Sequence, residues 1–541
     1  MQPVKKTAMR VLAVVAILTA TARLEAQVKG PSTQQTPYVV PVAPGVRTIS
    51  IASNGNGSST PDETYSKLGG GTYRLVGIPD GLGAFDNGDG TFTMLVAHEL
   101  GSTAGVNRAH GSKGAFVSKW VINKSDLSVV GAADLVDDPS KVRTYDTGSS
   151  SYVSGTTAWQ RFCSADLAAQ SAYYNPTSGL GTQVKLFTSG EESSGSGGNN
   201  QGRGFAFEVD GANAGRVTEL QKLGNIAYEN ILASPFAQDK TVVFNMDDAN
   251  RSFSPNASDA PSQLYVYVGD KTASSDAVVA AGLTNGSLYG IKVGTLANED
   301  LISGSQRFTM FNMEGASTGS GILDVATDNG LGLEQASIVN GLTQFHRIED
   351  GAWDPNNEDV FYFVTTDTLT TSGGASQIWK VTFDDITNPL AGGAIEALTS
   401  GTEGYEMFDN MTAVARGQNT LLLLQEDVGN NARLGKTWLY DVSNDSLTDL
   451  MEFDSTRFSA PTAPFSRDEE ASGIIPADFL GDGWFLGTVQ AHYNISGELV
   501  QGGQLFAMYV PQAVPEPGSI ALAGAGLVAL GLMARRRGRK A

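Results

Sequence analysis

Cysteine is almost missing from this chain: Cys163 stands alone among 541 residues, so no disulfide can form within one molecule. Histidine is nearly as scarce, at four, and neither HExxH nor CxxC occurs, which argues against zinc hydrolases that need imidazoles or thiolates at short spacing. Long apolar runs are confined to the two ends, and sustained helical periodicity is rare. Positive charge is short as well, with 36 basic residues against 57 acidic ones. Residues 1–26 hold four basic residues and one acid, and residues 515–541 hold five and one, so the body keeps 27 and 55, a net of −28. That balance argues against nucleic acid and anionic lipid as partners. It suits an exported protein whose surplus carboxylates bind cations.

Both ends read as addresses. Lys5, Lys6 and Arg10 precede the apolar run Val11–Ala20, and small residues follow, so residues 1–26 form a secretory signal peptide. At the other end Val514-Pro515-Glu516-Pro517 leads into fifteen apolar or small residues, Ile520–Ala534, and then Arg535, Arg536, Arg537, Arg539 and Lys540. As a helix that span covers about 22 Å at roughly 1.5 Å per residue, short of a hydrocarbon core of about 30 Å. The order Pro-Glu-Pro, short span, arginine cluster resembles the bacterial PEP-CTERM sorting tail. The resemblance implies a segment 514–541 held briefly in the inner membrane with its arginines in the cytoplasm. A sorting enzyme of the exosortase type would then process it, leaving the protein in the periplasm, at the cell surface or in the extracellular matrix.

Between those ends, strand-like runs recur, among them FTMLVAHE, QLYVYVG, DVFYFVTT, NTLLLLQE and GWFLGTVQ, rich in Val, Tyr, Phe, Leu and Thr. Gly, Asn and Asp separate them, as hairpin turns require. No linker divides residues 27–513. The pattern predicts an all-β body, a β-propeller rather than a sandwich of this length. About 490 residues over six blades is roughly 80 each against about 45 for compact blades, which calls for long insertions, expected at 146–182, 193–204 and 302–341.

Seven short segments place carboxylates beside a strand-like run or a tight turn. They contain Glu99 after His98, Glu191-Glu192, Glu229 with Asp247-Asp248, Glu349-Asp350 with Asp354, Glu406 with Asp409, Glu426-Asp427, and Asp468-Glu469-Glu470. A closed β-structure would converge such strand ends on one axis, and hard oxygen ligands there point to calcium or a similar ion. Arg108, Arg203, Arg347 and Arg433 with Lys436 lie near these motifs, and arginine suits bidentate recognition of phosphate. His98, beside Glu99, is the best-placed histidine for a site. Other motifs are weak. Gly315-Ala316-Ser317-Thr318-Gly319 fits GxSxG without a strand leading in, and Asp86-Asn87-Gly88-Asp89-Gly90 reads as a turn rather than a calcium loop.

The ordered segments IPDGLGAFDNGDGTFTMLVAHELGS, RFCSADL, SGEES, YENILASPFAQDKTVVFNMDD, EDGAWDP, MFDNMT, LLQEDVGNNARLGKTWLYDV, DEEASGI and GWFLGTVQAHY resemble the PhoX-type alkaline phosphatase family, in its diverged bacterial branch, across residues 76–509. That resemblance implies a six-bladed propeller with calcium and iron ions at the axial mouth, hydrolysing phosphate monoesters. It places metal ligands first at Glu191, Glu229, Glu349, Asp409 and Glu426, then at Glu99, Asp247 and Glu470. Arg203, Arg108 and His98 are the candidates for contacting substrate. Its best-understood branch sets an iron-bound cysteine just before a glutamate pair; here Ser189-Gly190 occupy that place, and Cys163, about 28 positions earlier, reads as a buried small residue, with folding into the site as the alternative. Calcium is therefore the expected cofactor, with iron as a further candidate. The other reading of the same residues is a non-catalytic, calcium-stabilised surface propeller that binds polysaccharide or another matrix component.

Truncation before Val514 is expected to release the body into the periplasm or medium, because no other segment of the mature chain is long and apolar enough to hold a membrane. Cell fractionation checks this; a truncated protein that stays in the membrane pellet after a high-salt wash contradicts it.

Overall fold

The computed structural model describes residues 27–511 apart from 56–59, 194–201, 250–252, 257–258, 260, 329, 367–375, 460 and 462. The expected leader and sorting tail therefore lie outside the described residues.

Six four-stranded antiparallel blades surround one axis. Blade 1 runs Pro79–Asp86, Thr91–His98, Phe116–Asn123, Val129–Asp134 from the inside out. Blade 2 is Phe162–Asp166, Leu186–Glu191, Gly204–Glu208, Val217–Glu219. Blade 3 is Tyr228–Ala233, Lys240–Asp247, Tyr265–Asp270, Ser287–Val293. Blade 4 is Ile348–Trp353, Val360–Thr365, Gln377–Phe383, Gly393–Ala397. Blade 5 is Phe408–Arg416, Asn419–Glu426, Lys436–Asp441, Ser446–Phe453. Blade 6 takes Glu469–Pro476, Trp484–Asn494 and Gln501–Tyr509 from the C-terminal end and its outermost strand, Arg47–Ser53, from the N-terminal end. Pairing of Arg47 with Tyr509 thus closes the ring, and each innermost strand packs against the next all the way round. Radial repetition leaves only short outer strands as sheet edges, which limits pairing with other chains.

The core is distributed as one apolar cluster per blade interface. Between blades 3 and 4, for instance, Phe244 stacks on Phe361 at 4.0 Å beside Trp353 and Phe383. Between blades 5 and 6, Leu421 and Leu423 meet Phe485 and Val489. Second strands such as TFTMLVAH and NTLLLLQE are buried on both faces, which explains their nearly continuous apolar sequence. The Asn87–Gly90 segment is a hairpin turn, with Gly88 and Gly90 at positive φ and Thr91 N–H bonded to Asp89.

Of the expected insertions, 146–182 carries the innermost strand of blade 2 within it, so only its flanks are added. The 302–341 segment holds the strand Gln306–Asn312, which bridges the outer strands of blades 3 and 4 into one nine-stranded sheet, and the helix Leu331–Val339. The 193–204 segment lies mostly outside the described residues.

Innermost strands crowd the axis, so small residues face each other there. A Cβ on Gly81 would sit 2.1 Å from the Ala165 backbone nitrogen in the next blade. Gly81→Ala is expected to lower stability by about 1–3 kcal/mol as an overpacking change against unyielding backbone, read as a shift of the urea midpoint. Gly101→Ala, where no atom lies within 4 Å, is the control and is expected to be neutral.

Candidate metal centre

One register rule, repeated in blades 1 to 5 and varied in blade 6, builds the site. The first residue of each innermost strand in blades 1 to 5 pairs with the end of the neighbouring second strand: Pro79 with His98, Phe162 with Glu191, Tyr228 with Asp247, Ile348 with Thr365, Phe408 with Glu426; in blade 6 Glu469 pairs with Ala491, inside the longer strand Trp484–Asn494. In blades 1 to 5 a bulge follows at once, re-aiming the strand mouth, whereas in blade 6 it lies deeper, between Ser472 and Ile474. The second residue of each innermost strand then gives one ring: Asp80, Cys163, Glu229, Glu349, Asp409 and Glu470. The position after each of those second-strand partners gives another: Glu99, Glu192, Asp248, Thr366, Asp427 and, in blade 6, His492.

These residues enclose a cavity of about 60 Å³ lined by eight carboxylates, the Cys163 thiol, Thr366, Met407 and two guanidiniums. Arg161 and Arg347 each stand one residue before an innermost strand at positive φ, 44° and 57°, as Ile78 and Met407 do in blades 1 and 5. Left-handed backbone at four equivalent non-glycine positions is strain concentrated at the mouth of the ring. Arg347 grips both oxygens of Asp248 at 2.6 Å and lies 3.1 Å from Glu349. Arg161 lies 2.9 Å from Glu99 and also bonds Glu192.

Three groups hold donor atoms all within 4.8 Å of one another: Asp80, Glu99 and Cys163; Cys163, Glu192 and Glu229; Glu229, Asp248 and Glu349. Cys163 and Glu229 are each shared by two groups, so the three form a chain across blades 1 to 4. Burial, and then the charges of their neighbours, push the Asp80 and Glu229 carboxyls well above the usual carboxylate range. Asp409 is raised for the same reasons in the same order. The Cys163 thiol is likewise pushed up by burial and then by Asp80. Asp80 keeps one buried oxygen without a partner, while the other accepts from Gln490 at 2.9 Å. Such a donor set fits cations: many hard oxygens suit calcium, and one thiolate among carboxylates suits a softer transition ion such as iron. A polar layer beneath steadies the ring, with Ser164 donating to Glu229 at 2.6 Å and Asn410 donating to Ser164 at 2.8 Å.

Of the residues expected at the site, the structure brings together Glu99, Glu229, Glu349, Asp409 and Glu470. It turns Glu191, Asp247 and Glu426 away, because each ends a second strand and its side chain points to the opposite face from its successor. Glu191 forms a bidentate pair with Arg203 at 2.7 and 2.8 Å, which places Arg203 outside the ring as well. Glu426 is held by Arg433 and the Trp438 indole. Asp247 accepts the backbone N–H groups of Ala227 and Gln263. Their neighbours Glu192, Asp248 and Asp427 take the ring positions instead.

His98 is fully buried, stacked 4.3 Å from Phe116, with one ring nitrogen 3.2 Å from the Gly77 carbonyl and the other 2.9 Å from Ser118 Oγ. Burial lowers it to about 3, so it is a neutral packing residue. Arg108 is engaged with Asp134 at 3.0 Å and Glu498 at 2.7 Å over the Phe116 ring. Asp80, Cys163, Arg161, Glu192, Asp248 and Asp427 stand at the site without having been expected there as ligands or substrate contacts. The signal that finds Asp80 and Cys163 is the repeated pattern at the innermost strand starts: Pro79-Asp80-Gly81, Phe162-Cys163-Ser164, Tyr228-Glu229-Asn230, Ile348-Glu349-Asp350, Phe408-Asp409-Asn410.

Residues 513–537 match the PEP-CTERM protein-sorting motif. The match marks an exported chain with a C-terminal sorting tail of the kind that an exosortase-type enzyme recognises. Among the described residues no helix is long and apolar enough to cross a membrane. A sequence search of curated proteins finds no match. Among solved structures, Pseudomonas fluorescens PhoX in complex with vanadate, a transition state analogue, superposes with a TM-score of 0.61 at 12% identity, covering 89% of this chain and 97% of that one. Penicillium chrysogenum alpha-L-arabinanase complexed with arabinobiose gives a TM-score of 0.40 at 8% identity, over 87% and 99%. Trypanosoma rangeli sialidase in complex with the inhibitor DANA gives 0.36 at 9%, over 87% and 60%. What the chain shares with PhoX at that identity is the propeller fold.

Proposed function

We propose that this protein is an exported, metal-dependent hydrolase of phosphate monoesters, with its active site at the axial mouth. The observation that carries the reading is the ring itself: eight carboxylates and a thiol confined with two arginines in one small cavity. A dianionic ester can approach that surface only if bound cations reverse its sign. The solved neighbour of the same fold binds vanadate, described as a transition state analogue.

Asp80, Glu99, Cys163, Glu192, Glu229, Asp248 and Glu349 would hold the cations, calcium at the carboxylate groups and iron where Cys163 contributes. Bound there, the ions supply a polarised phosphoryl oxygen and a nucleophile formed from water at neutral pH. Arg161 and Arg347 line the cavity from blades 2 and 4, on either side of blade 3, and present planar forks suited to phosphoryl oxygens. Their ion pairs with Glu99, Glu192 and Asp248 hold them aimed before substrate arrives. Ser164 and Asn410 both donate to Glu229 Oε1 from below, which orients the ligand shared by two groups.

Glu229→Gln is expected to reduce hydrolysis of p-nitrophenyl phosphate by about 100-fold or more, on the scale of losing one preorganised charge-stabilising group. Arg347→Ala should act mainly on KM with metal content retained, as expected for a group that binds the phosphoryl oxygens in ground and transition state alike. Glu426→Gln, in an ion pair outside the ring, should retain the wild-type kcat. Wild-type protein loaded with calcium and iron that hydrolyses no phosphomonoester above background sinks the reading.

A further inference from the structure

A second set of buried oxygens lies outside the axial ring, where the helix Leu331–Val339 of the 302–341 insertion packs on blade 3. Glu334 in that helix is 2% exposed, and neither of its carboxylate oxygens has a hydrogen-bond partner. Asn245, on the second strand of blade 3, is 0% exposed, and its amide oxygen and nitrogen are both without partners as well. Strand side chains alternate, so Val243, Asn245 and Asp247 share one face. Val243 belongs to the apolar cluster that contains Leu333 and Ala336 of the helix, whereas Val242, Phe244 and Met246 face blade 4. Asn245 and Asp247 therefore share the face that carries Tyr265, whose hydroxyl reaches Ser337 of the helix.

The next strand completes the wall. Tyr265 pairs directly with Asn245, and the Gln263 N–H donates to Asp247 at 3.1 Å. The Tyr265 hydroxyl lies 3.0 Å from Gln263 Oε1 and 2.8 Å from Ser337 Oγ, one turn beyond Glu334. The charges acting on Glu334 are those of Asp247 and Asp328, both negative. Asp328 is committed to the N–H groups of Gly330, Gly332 and Leu333. Glu334 thus lies within the field of Asp247, on the helix whose Ser337 meets Tyr265, with an unpartnered amide on the adjoining strand and no basic group acting on Glu334. A buried carboxylate in such surroundings requires a proton or a cation.

We propose that this pocket binds one divalent cation of the calcium class, held by Glu334 and Asp247 with Asn245 contributing its amide oxygen. The donors are all hard oxygens, without imidazole or thiolate, which selects calcium over softer metals. The ion fastens the insertion to blade 3, and it gives Asp247 a role distinct from that of Asp248 in the ring. The inference stands whether or not the axial site is a phosphatase.

Full-length protein, stripped of metal, is reloaded with calcium and desalted, and its calcium is counted by emission spectroscopy for the wild type and for Glu334→Gln. The variant is expected to hold one equivalent fewer and to lose part of the calcium-induced rise in thermal midpoint. Equal calcium and an equal rise in both proteins overturn the proposal and leave Glu334 a neutral carboxyl bridged by water. Should Glu334→Gln not fold, Tyr265→Phe deletes a single hydroxyl; with terbium as the probe, tyrosine-sensitised emission is expected to fall severalfold against wild type. Unchanged emission overturns the proposal by that second route.

Discussion

Confinement of like charges sets the terms for this molecule. Two carboxylates held 4.8 Å apart, the limit that defines each group of the ring, repel by about 3 kcal/mol at an effective dielectric of 20. An exposed ion pair returns about 0–1 kcal/mol, and the cavity offers only two guanidiniums to its eight carboxylates. Arginine pairing therefore cannot balance the ring. Either several acids carry protons in the folded state, or cations occupy the space between them, and the second arrangement turns a liability of the fold into stabilisation on binding.

The propeller is what makes such a cluster possible. No single blade holds more than a few of the acids, and each acid is anchored in a ladder of backbone hydrogen bonds with an apolar interface behind it. In blades 1 to 5 the bulge at the innermost strand start breaks the alternation at the point where side chains must turn toward the axis. Left-handed backbone at Arg161 and Arg347 does the same for the two cations. Closure of blade 6 by the N-terminal strand fixes the last ring member, Glu470, with His492 3.6 Å away. Burial would lower His492, but its hydrogen bond to Glu470 and that carboxylate's charge raise it to about 10. Basic groups thus meet the ring at three places, Arg161 in blade 2, Arg347 in blade 4 and His492 in blade 6, fewer than its acids.

Much of this was legible in the sequence. Runs such as TFTMLVAH and NTLLLLQE, punctuated by Gly and Asp, specify an all-β body because their apolar content exceeds what a one-faced strand can bury. Carboxylates at strand ends point to a convergent site. Adjacent acids were harder: in Glu191-Glu192, Asp247-Asp248 and Glu426-Asp427 composition cannot say which side chain faces the axis, and a one-residue offset moves the answer from ring to interior. The register of each bulge decides it, and a bulge leaves no mark in composition. Asp80, in an Asp-Gly pair, looks like turn chemistry, and Cys163 looks like a packed thiol. Only alignment of the innermost strands against one another shows both at the same position as Glu229 and Glu349. Arg108 and Arg203 lie near the right motifs, yet their ion pairs with Asp134 and Glu191 are tertiary facts.

Cations and protons compete as the counter-charge of the axial ring, and the proposed function requires cations. Isothermal titration of metal-stripped protein with calcium, repeated in buffers of different ionisation enthalpy, counts the ions bound and the protons released together. The account predicts binding of more than one ion per chain with net proton release, since the raised carboxyls of Asp80, Glu229 and Asp409 must ionise to take them. Heats that show no calcium binding, or binding unaltered by Glu229→Gln and Asp409→Asn, would contradict it.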